Sequence, residues 1–194
     1  MKVLLIPPIH GYRNFPQLLS FSDFPSGFAY VAASLEQAGH QVFGLQLNNK
    51  VGYSSGIEVI KDRVPKAISK VKPDLIGLGG ICTDYHFLRD AIMVIRECCK
   101  VPIVLGGRII TQDSEIFEIL KPDYGIVGEG EEAIVNLCNF IQAHTPEFVS
   151  PDGKFSYSVS TVDGSRGFKG TVLDSLKAGW DINSIKNLWY WSGE

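Results

Sequence analysis

The chain has 194 residues, 45% apolar and 20% charged, which is typical of one globular domain with a modest extension. Its 18 basic and 21 acidic residues give a net charge of −3, which argues against a nucleic-acid partner because phosphate backbones require a clustered basic surface. No apolar run reaches the roughly 18 residues that span a bilayer, so no membrane partner is expected.

Apolar runs that predict strands alternate five times with patterns typical of helices. The expected strands are residues 2–6, 42–47, 75–78, 103–105 and 124–127. The expected helices begin near Ser26, near Ile57, after Thr83 or Asp84, between the fourth and fifth strands, and at Glu131. Pro65 lies within the second helical pattern and is expected either to kink that helix or to mark its real start.

This alternation predicts an α/β fold, namely a flavodoxin-like (Rossmann-like) three-layer sandwich with a five-stranded parallel sheet of order 2-1-3-4-5. The switch point of such a sheet lies between the first and third strands. Ligands of open parallel sheets lie beyond the carboxyl ends of the strands. We therefore expect the loops after strands one, three, four and five to form the functional rim.

The pattern changes beyond residue 145. We expect residues 1–145 to form the domain and residues 146–194 to form a small C-terminal extension, irregular and linker-like, with a hairpin or excursion at 155–162 and a short helix at 171–178. The final LWYWSGE is typical of an exposed aromatic strand that stops abruptly. We interpret the chain as part of a longer protein.

Glycine pairs follow two of the expected strands. Gly79 and Gly80 follow the third strand, and Gly106 and Gly107 follow the fourth. A tight turn needs only one residue at positive φ, whereas a glycine pair also lets a bulky planar group lie on the main chain. Either pair alone favours the turn, but two pairs side by side predict a slot.

Other rim positions leave two interpretations open. The carboxylates that follow Gly128 in the GEGEE run either stabilise the start of the last helix or bind a ligand. His10, just past the first strand, is either a metal ligand or an ordinary loop residue. No grouping of a nucleophile with a base can be assembled from the rim, so no catalytic residue is assigned.

The four cysteines suggest neither a zinc site nor a disulfide framework. Cys98 and Cys99 are adjacent, and no Cys-x-x-Cys pair occurs in the chain. We interpret the cysteines as reduced thiols, which predicts a cytoplasmic protein.

Five segments together resemble the N-terminal cobalamin (vitamin B12)-binding domain of cobalamin-dependent radical SAM enzymes. They are KVLLIPP, PSGFAYVAASLEQAGHQV, KPDLIGLGG, PIVLGGRIIT and PDYGIVGEGEE, in that order over about residues 2–140. The tail INSIKNLWYWSGE resembles the linker that precedes the radical SAM barrel in those proteins. The Cys-x-x-x-Cys-x-x-Cys motif of that barrel is absent from the sequence.

The resemblance implies a cobalamin-binding module that is not itself catalytic. The iron–sulfur cluster and S-adenosylmethionine would belong to a radical SAM domain of the same chain, and the parent would be a methyltransferase or another radical enzyme. The superfamily loop Asp-x-His-x-x-Gly matches here at the histidine, which makes that residue the candidate axial ligand of cobalt. The cofactor-binding residues implied are Pro8, His10, Gly79, Gly80, Ile81, Cys82, Thr83, Gly106, Gly107, Gly128 and Glu129.

Two other functions stay open. One is a cofactor-free scaffold or interaction domain that keeps the fold and has lost cobalamin binding; a slot filled by Tyr12, Phe15 or Arg108 of the chain itself would favour it. The other is a flavodoxin-like or receiver-like module, which is weaker because the first loop lacks a hydroxyl-rich phosphate cradle and paired acidic residues.

Overall fold

The computed structural model describes residues 1–14, 25–113, 115–144, 157–159 and 182–191. The strands are β1 (Lys2–Ile6), β2 (Gln41–Gly44), β3 (Leu75–Gly79), β4 (Ile103–Gly106), β5 (Tyr124–Ile126), β6 (Tyr157–Val159) and β7 (Leu188–Trp191). The helices are α1 (Ser26–Gln37), α2 (Gly56–Val71), α3 (Tyr85–Cys98), α4 (Arg108–Gln112), α5 (Glu115–Leu120) and α6 (Glu131–His144). Short 3₁₀ turns occupy Tyr12–Asn14, Cys82–Asp84 and Ile182–Ser184.

The strands form one sheet of order β2-β1-β3-β4-β5-β7-β6. The first five strands are parallel and stand in the predicted order, so the fold class and the switch point between β1 and β3 are confirmed. Among the described residues the sheet has seven strands rather than five, because β7 pairs antiparallel with β5 and β6 pairs antiparallel with β7.

Two apolar clusters cover the two faces of the sheet, which confirms the three layers. Alternate residues of β1 divide between them: Leu4 and Ile6 pack with α2, α3 and α5, whereas Val3 and Leu5 pack with α1 and α6. Helix α2 contacts α3 on the first face, and α1 contacts α6 on the second. Parallel strands buried on both faces explain why the sequence shows continuous apolar runs.

Some element bounds differ from those expected. Helix α2 runs continuously from Gly56 to Val71 with Pro65 inside it, so this proline does not mark the start of the helix. Strand β2 ends at Gly44 rather than at residue 47, although Leu45 N–H still bonds Leu5 O at 2.9 Å. Between β4 and β5 two short helices replace the single one expected.

The described part of the C-terminal extension is more regular than expected. Strand β6 lies within the hairpin predicted at 155–162, and the predicted helix at 171–178 lies outside the described residues. Strand β7 was expected to be exposed, but Leu188 and Trp189 are buried because β7 continues the sheet beyond β5. In the part of the chain that the structure describes, no helix has the length and apolar character needed to cross a membrane.

Candidate functional site

The predicted site residues all lie at one edge of the sheet, which we call the rim and define as the loops that follow β1, β3, β4 and β5. Pro8 is buried and His10 half-buried after β1, whereas Ile81, Cys82 and Thr83 are exposed after β3. Gly107, Gly128 and Glu129 are exposed after β4 and β5. The topology thus brings together residues that are more than 100 positions apart in the chain.

The two glycine pairs contact each other directly. Gly80 N–H donates to Gly106 O at 3.3 Å, and Ile109 N–H donates to Gly80 O at 3.1 Å. Gly107 has φ +90°, and a Cβ atom at this position would lie 2.6 Å from Gly80 O. Gly107 is therefore required by backbone packing and by the turn, irrespective of any ligand.

Three other glycines form a surface that we call the glycine strip: Gly77 and Gly79 in β3 and Gly106 in β4. Gly79 and Gly106 are register partners, so all three face the side covered by α1 and α6. A Cβ atom on Gly106 would have Ile126 O, 3.9 Å away, as its nearest neighbour. At the rim end of the strip there is consequently room for a flat group against the main chain.

Phe28 of α1 borders the strip. Its Cζ atom lies 3.5 Å from the position of a Cβ atom on Gly79, and its side chain is half-buried. The inner part of the strip is filled by the chain itself, since Leu5 Cδ2 lies 2.6 Å from the corresponding position on Gly77. The free space is therefore confined to the outer end, at Gly106.

The loop after β1 is fixed by two side chains that sequence reasoning did not assign to the site. Asn48 accepts a hydrogen bond from His10 N–H at 2.8 Å and donates one to Pro8 O at 3.1 Å. The Tyr12 hydroxyl donates to Asp90 Oδ2 at 2.7 Å. Burial, followed by this hydrogen bond and the charge of Asp90, raises the pKa of Tyr12 well above its usual value.

Tyr12 does not occupy the glycine strip. Its ring lies against Gly56 at the start of α2 and meets Phe87 of α3 edge-on, with ring centroids 5.8 Å apart. It therefore lies on the α2/α3 face of the sheet, opposite the strip. Arg108 is exposed, and Phe15 lies outside the described residues.

The remaining rim loops are joined to one another by polar contacts. Thr111 Oγ1 donates to Gly107 O and accepts from Gly128 N–H, both at 3.2 Å, and so links the loops after β4 and β5. Cys82 Sγ lies 3.2 Å from Gln112 Oε1. The sequence offered no signal for Thr111 or Gln112 other than their closeness to the glycine pair.

The acidic residues expected near the starts of α3 and α6 do not all act on those helices. Asp84 immediately precedes α3, but its carboxylate accepts the Ile81 N–H at 2.9 Å instead of capping that helix. Glu131 and Glu132 occupy the first turn of α6, where carboxylates complement the helix dipole. Glu129 lies outside the helix and is exposed, so the dipole interpretation applies to the two later glutamates.

Comparisons with known proteins bear on the family and the fold of this chain. The B12 binding domain family matches residues 23–138, which is more than half of the chain. Among solved structures, the chain is similar to the methanol:cobalamin methyltransferase complex MtaBC from Methanosarcina barkeri, with a TM-score of 0.52 and 17% sequence identity. That alignment covers 73% of this chain and 46% of the other, so this chain corresponds to less than half of its structural neighbour.

At that identity the structural neighbour supports the fold alone. No curated protein matches the chain in sequence. The family match spans β3, β4, β5 and the glycine strip, and it begins after the loop that carries His10. On the strength of this match, the chain belongs to the B12 binding domain family.

Proposed function

We propose that this chain is the cobalamin-binding module of a radical SAM enzyme and that it binds the corrin at the rim. The observation that carries the proposal is the outer end of the glycine strip, where Gly106 leaves the main chain bare at the rim, beside the switch point of the sheet. This is the edge at which open α/β sheets receive ligands. Membership of the B12 binding domain family supports the cobalamin-binding part of this proposal.

The residues present fit a large, mostly apolar ring system. Gly106 offers a flat surface, and Ile81, 50% exposed, offers an apolar side chain on the loop after β3. Gly80 and Gly107 would shape the loops rather than touch the cofactor, because their backbones pack on each other. Cobalamin, when bound, supplies a cobalt centre that carries and transfers alkyl groups.

Polar rim residues would contact the edge of the corrin. Cys82, Thr83, Gly128 and Glu129 are exposed on the loops after β3 and β5, where amide-bearing side chains of the cofactor would approach. Pro8 is buried near the start of the loop after β1 and would support that loop rather than touch the ligand. Each of these predicted site residues is thereby given a proposed role at the rim.

His10 is the candidate axial ligand of cobalt. A single imidazole can complete the coordination of a metal that a macrocycle already holds, as the proximal histidine does for haem iron. Metal-ligating histidines usually donate their second ring nitrogen to a carboxylate or carbonyl. In the loop after β1, Pro8 stands where the superfamily has its aspartate, so this loop lacks a carboxylate at that position.

The parent protein is proposed to carry the radical chemistry. The resemblance of the segments from KVLLIPP to PDYGIVGEGEE supports a following radical SAM domain. That domain would hold the iron–sulfur cluster and S-adenosylmethionine. It would act with this module in a methyl-transfer or other radical reaction. Residues 1–145 would form the binding domain, and residues 146–194, whose strands β6 and β7 extend its sheet, would lead to the next domain. Reading the coding sequence beyond Glu194 for a Cys-x-x-x-Cys-x-x-Cys motif tests this assignment.

A cofactor-free scaffold is the second candidate, and one observation favours it. Phe28 Cζ lies 3.5 Å from the position of a Cβ atom on Gly79 and thereby narrows the strip. The position of Tyr12 does not favour it, because Tyr12 lies on the opposite face of the sheet. The two candidates differ in whether the outer end of the strip accepts a ligand.

Titration with hydroxocobalamin, followed by the corrin absorption spectrum, distinguishes them. We expect binding by the wild type and at least about tenfold weaker binding by Gly106→Val, because the new side chain fills the outer end of the strip. Gly44→Val in the edge strand β2 is the matched control, since a Cβ atom there meets nothing within 4 Å. Absence of binding by the wild type at high micromolar cofactor would favour the scaffold.

The coordination of cobalt needs a separate variant. If His10 ligates cobalt, His10→Ala changes the absorption spectrum of the bound cofactor, whereas unchanged spectra would exclude this role. The absorption spectrum measured with Gly106→Val shows the effect of weaker cofactor binding. Comparison with it therefore distinguishes weaker binding from a change of the cobalt ligand.

A further inference from the structure

Asn48 is an unusual residue for its surroundings. Its side chain is only 4% exposed, and it is one of two buried polar residues, with His40, in the part of the chain that the structure describes. It follows the end of β2 and lies beneath the loop after β1, 38 positions from its partner His10. Burying a polar amide costs free energy unless its donors and acceptor are satisfied, so its hydrogen bonds identify its role.

The Asn48 amide is fully engaged. Its Oδ1 accepts His10 N–H at 2.8 Å, while its Nδ2 donates to Pro8 O at 3.1 Å and to Gln46 Oε1 at 2.9 Å. The last pairing of β1 with β3 is Ile6 with Leu78, so residues 8–10 lie beyond that strand ladder. Asn48 supplies to this loop the hydrogen bonds that a neighbouring strand would otherwise provide.

A second anchor holds the other end of the same loop. Tyr12 is fixed by its hydrogen bond to Asp90 and by its edge-on contact with Phe87. Gly11, between the two anchors, has φ +60° and allows the chain to turn from one to the other. The backbone of His10 is therefore held on both sides by contacts within the chain.

We propose that Asn48 is a positioning residue that orders residues 8–10 at the switch point before the cofactor binds. The inference rests on the proposed cobalamin function. A loop that is already ordered loses less conformational entropy on binding, so the order contributes to affinity without any contact between Asn48 and the cofactor. Asn48 acts through the loop that it holds.

The test uses two variants in the full chain. Asn48→Ala removes the acceptor and both donor contacts, whereas Asn48→Asp keeps an acceptor for His10 N–H and removes the donors to Pro8 and Gln46. Amide hydrogen exchange of residues 9–12 is measured without cofactor, and hydroxocobalamin affinity is measured by titration. Ile68→Val, in the last turns of α2, is the control for a general loss of stability.

We expect Asn48→Ala to raise the exchange rate of residues 9–12 by about tenfold and to weaken cobalamin binding by a similar factor. Asn48→Asp should protect His10 N–H better than Asn48→Ala does. Ile68→Val should leave the exchange rate of residues 9–12 and the cobalamin affinity close to those of the wild type. If Asn48→Ala does not fold, Tyr12→Phe loosens the second anchor and should raise the same exchange rates.

The outcomes separate this inference from the proposed function. A wild type that fails to bind hydroxocobalamin overturns the proposed function, and this inference with it, before any variant is considered. A wild type that binds, together with an Asn48→Ala variant of equal affinity or equal loop exchange, overturns the positioning role alone. Weaker affinity with faster exchange confined to residues 9–12 supports it.

Discussion

At the scale of single residues, Gly107 shows how a sequence pattern can have two causes. The glycine pair after β4 combines one residue at positive φ that packs on Gly80 with one residue, Gly106, that leaves open space. The turn and the ligand surface, which the sequence presented as alternatives, are thus divided between two adjacent positions. Substitutions at the two positions should consequently have different effects.

We predict that Gly107→Ala destabilises the fold by about 3 kcal/mol, because strained φ and a close backbone contact combine. The added Cβ atom would lie 2.6 Å from Gly80 O and 2.9 Å from Gly80 N, both backbone atoms that cannot move aside. Gly128→Ala is the control, since its φ of +76° carries strain but nothing lies within 4 Å. Urea unfolding that gives equal losses for both variants would contradict this explanation.

The residues that sequence reasoning missed share one property. Asn48 and Thr111 act through partners that are distant in the chain, respectively His10 and Gly128. Nothing in the local pattern around either residue marks it, because its role exists only after the sheet has formed. Glycines after buried strands could be predicted because their requirement is local to the strand end.

At the scale of elements, β7 is the clearest difference between expectation and structure. The LWYW run predicts a strand, but its partner could not be predicted, since an antiparallel return across some 60 residues leaves no local signal. Trp191 stacks on Phe117 with centroids 5.0 Å apart, and Trp189 meets the same ring edge-on at 5.9 Å. The aromatic residues of the extension thereby cover α5.

We predict that Trp191→Ala lowers the free energy of unfolding by about 2 kcal/mol, through loss of the aromatic stack and of the hydrogen bond from Trp191 Nε1 to Pro122 O. Trp191→Phe keeps a ring against Phe117 and should lose about half as much. Urea unfolding measures both variants. A stability of Trp191→Ala equal to that of the wild type would show that the Trp191 side chain adds nothing to the stability of the fold.

At the scale of the whole molecule, the order of the parallel strands could be predicted because alternation and right-handed crossovers leave few arrangements. Burial on both faces of that sheet has a further consequence for ionisable groups. Burial raises the pKa of the Cys138 thiol from 9.0 to about 12. It also raises the pKa of Tyr124 and of Tyr12 above their usual value. Each of these groups is neutral when protonated, so it stays protonated up to a higher pH in the folded state than in the unfolded state.

We predict from these shifts that stability falls as the pH rises above 9. Between pH 9 and 12 the unfolded chain has released the Cys138 proton while the folded chain retains it, so the free energy of unfolding decreases by up to about 1.4 kcal/mol per pH unit. Above pH 10 the two tyrosines steepen the decline. Urea unfolding at pH 8, 9, 10 and 11, with a reductant present, measures the curve.

Cysteine variants identify the group responsible for the first part of the decline. Cys138→Ala should be less stable at pH 8, because it leaves a small cavity, but its curve should be shallower between pH 9 and 10. Cys98, an exposed thiol whose pKa is raised by desolvation and by the neighbouring Cys99 and Glu97, adds to the slope that remains. A wild-type curve that stays flat from pH 9 to 11 would mean that the folded chain releases these protons as readily as the unfolded one.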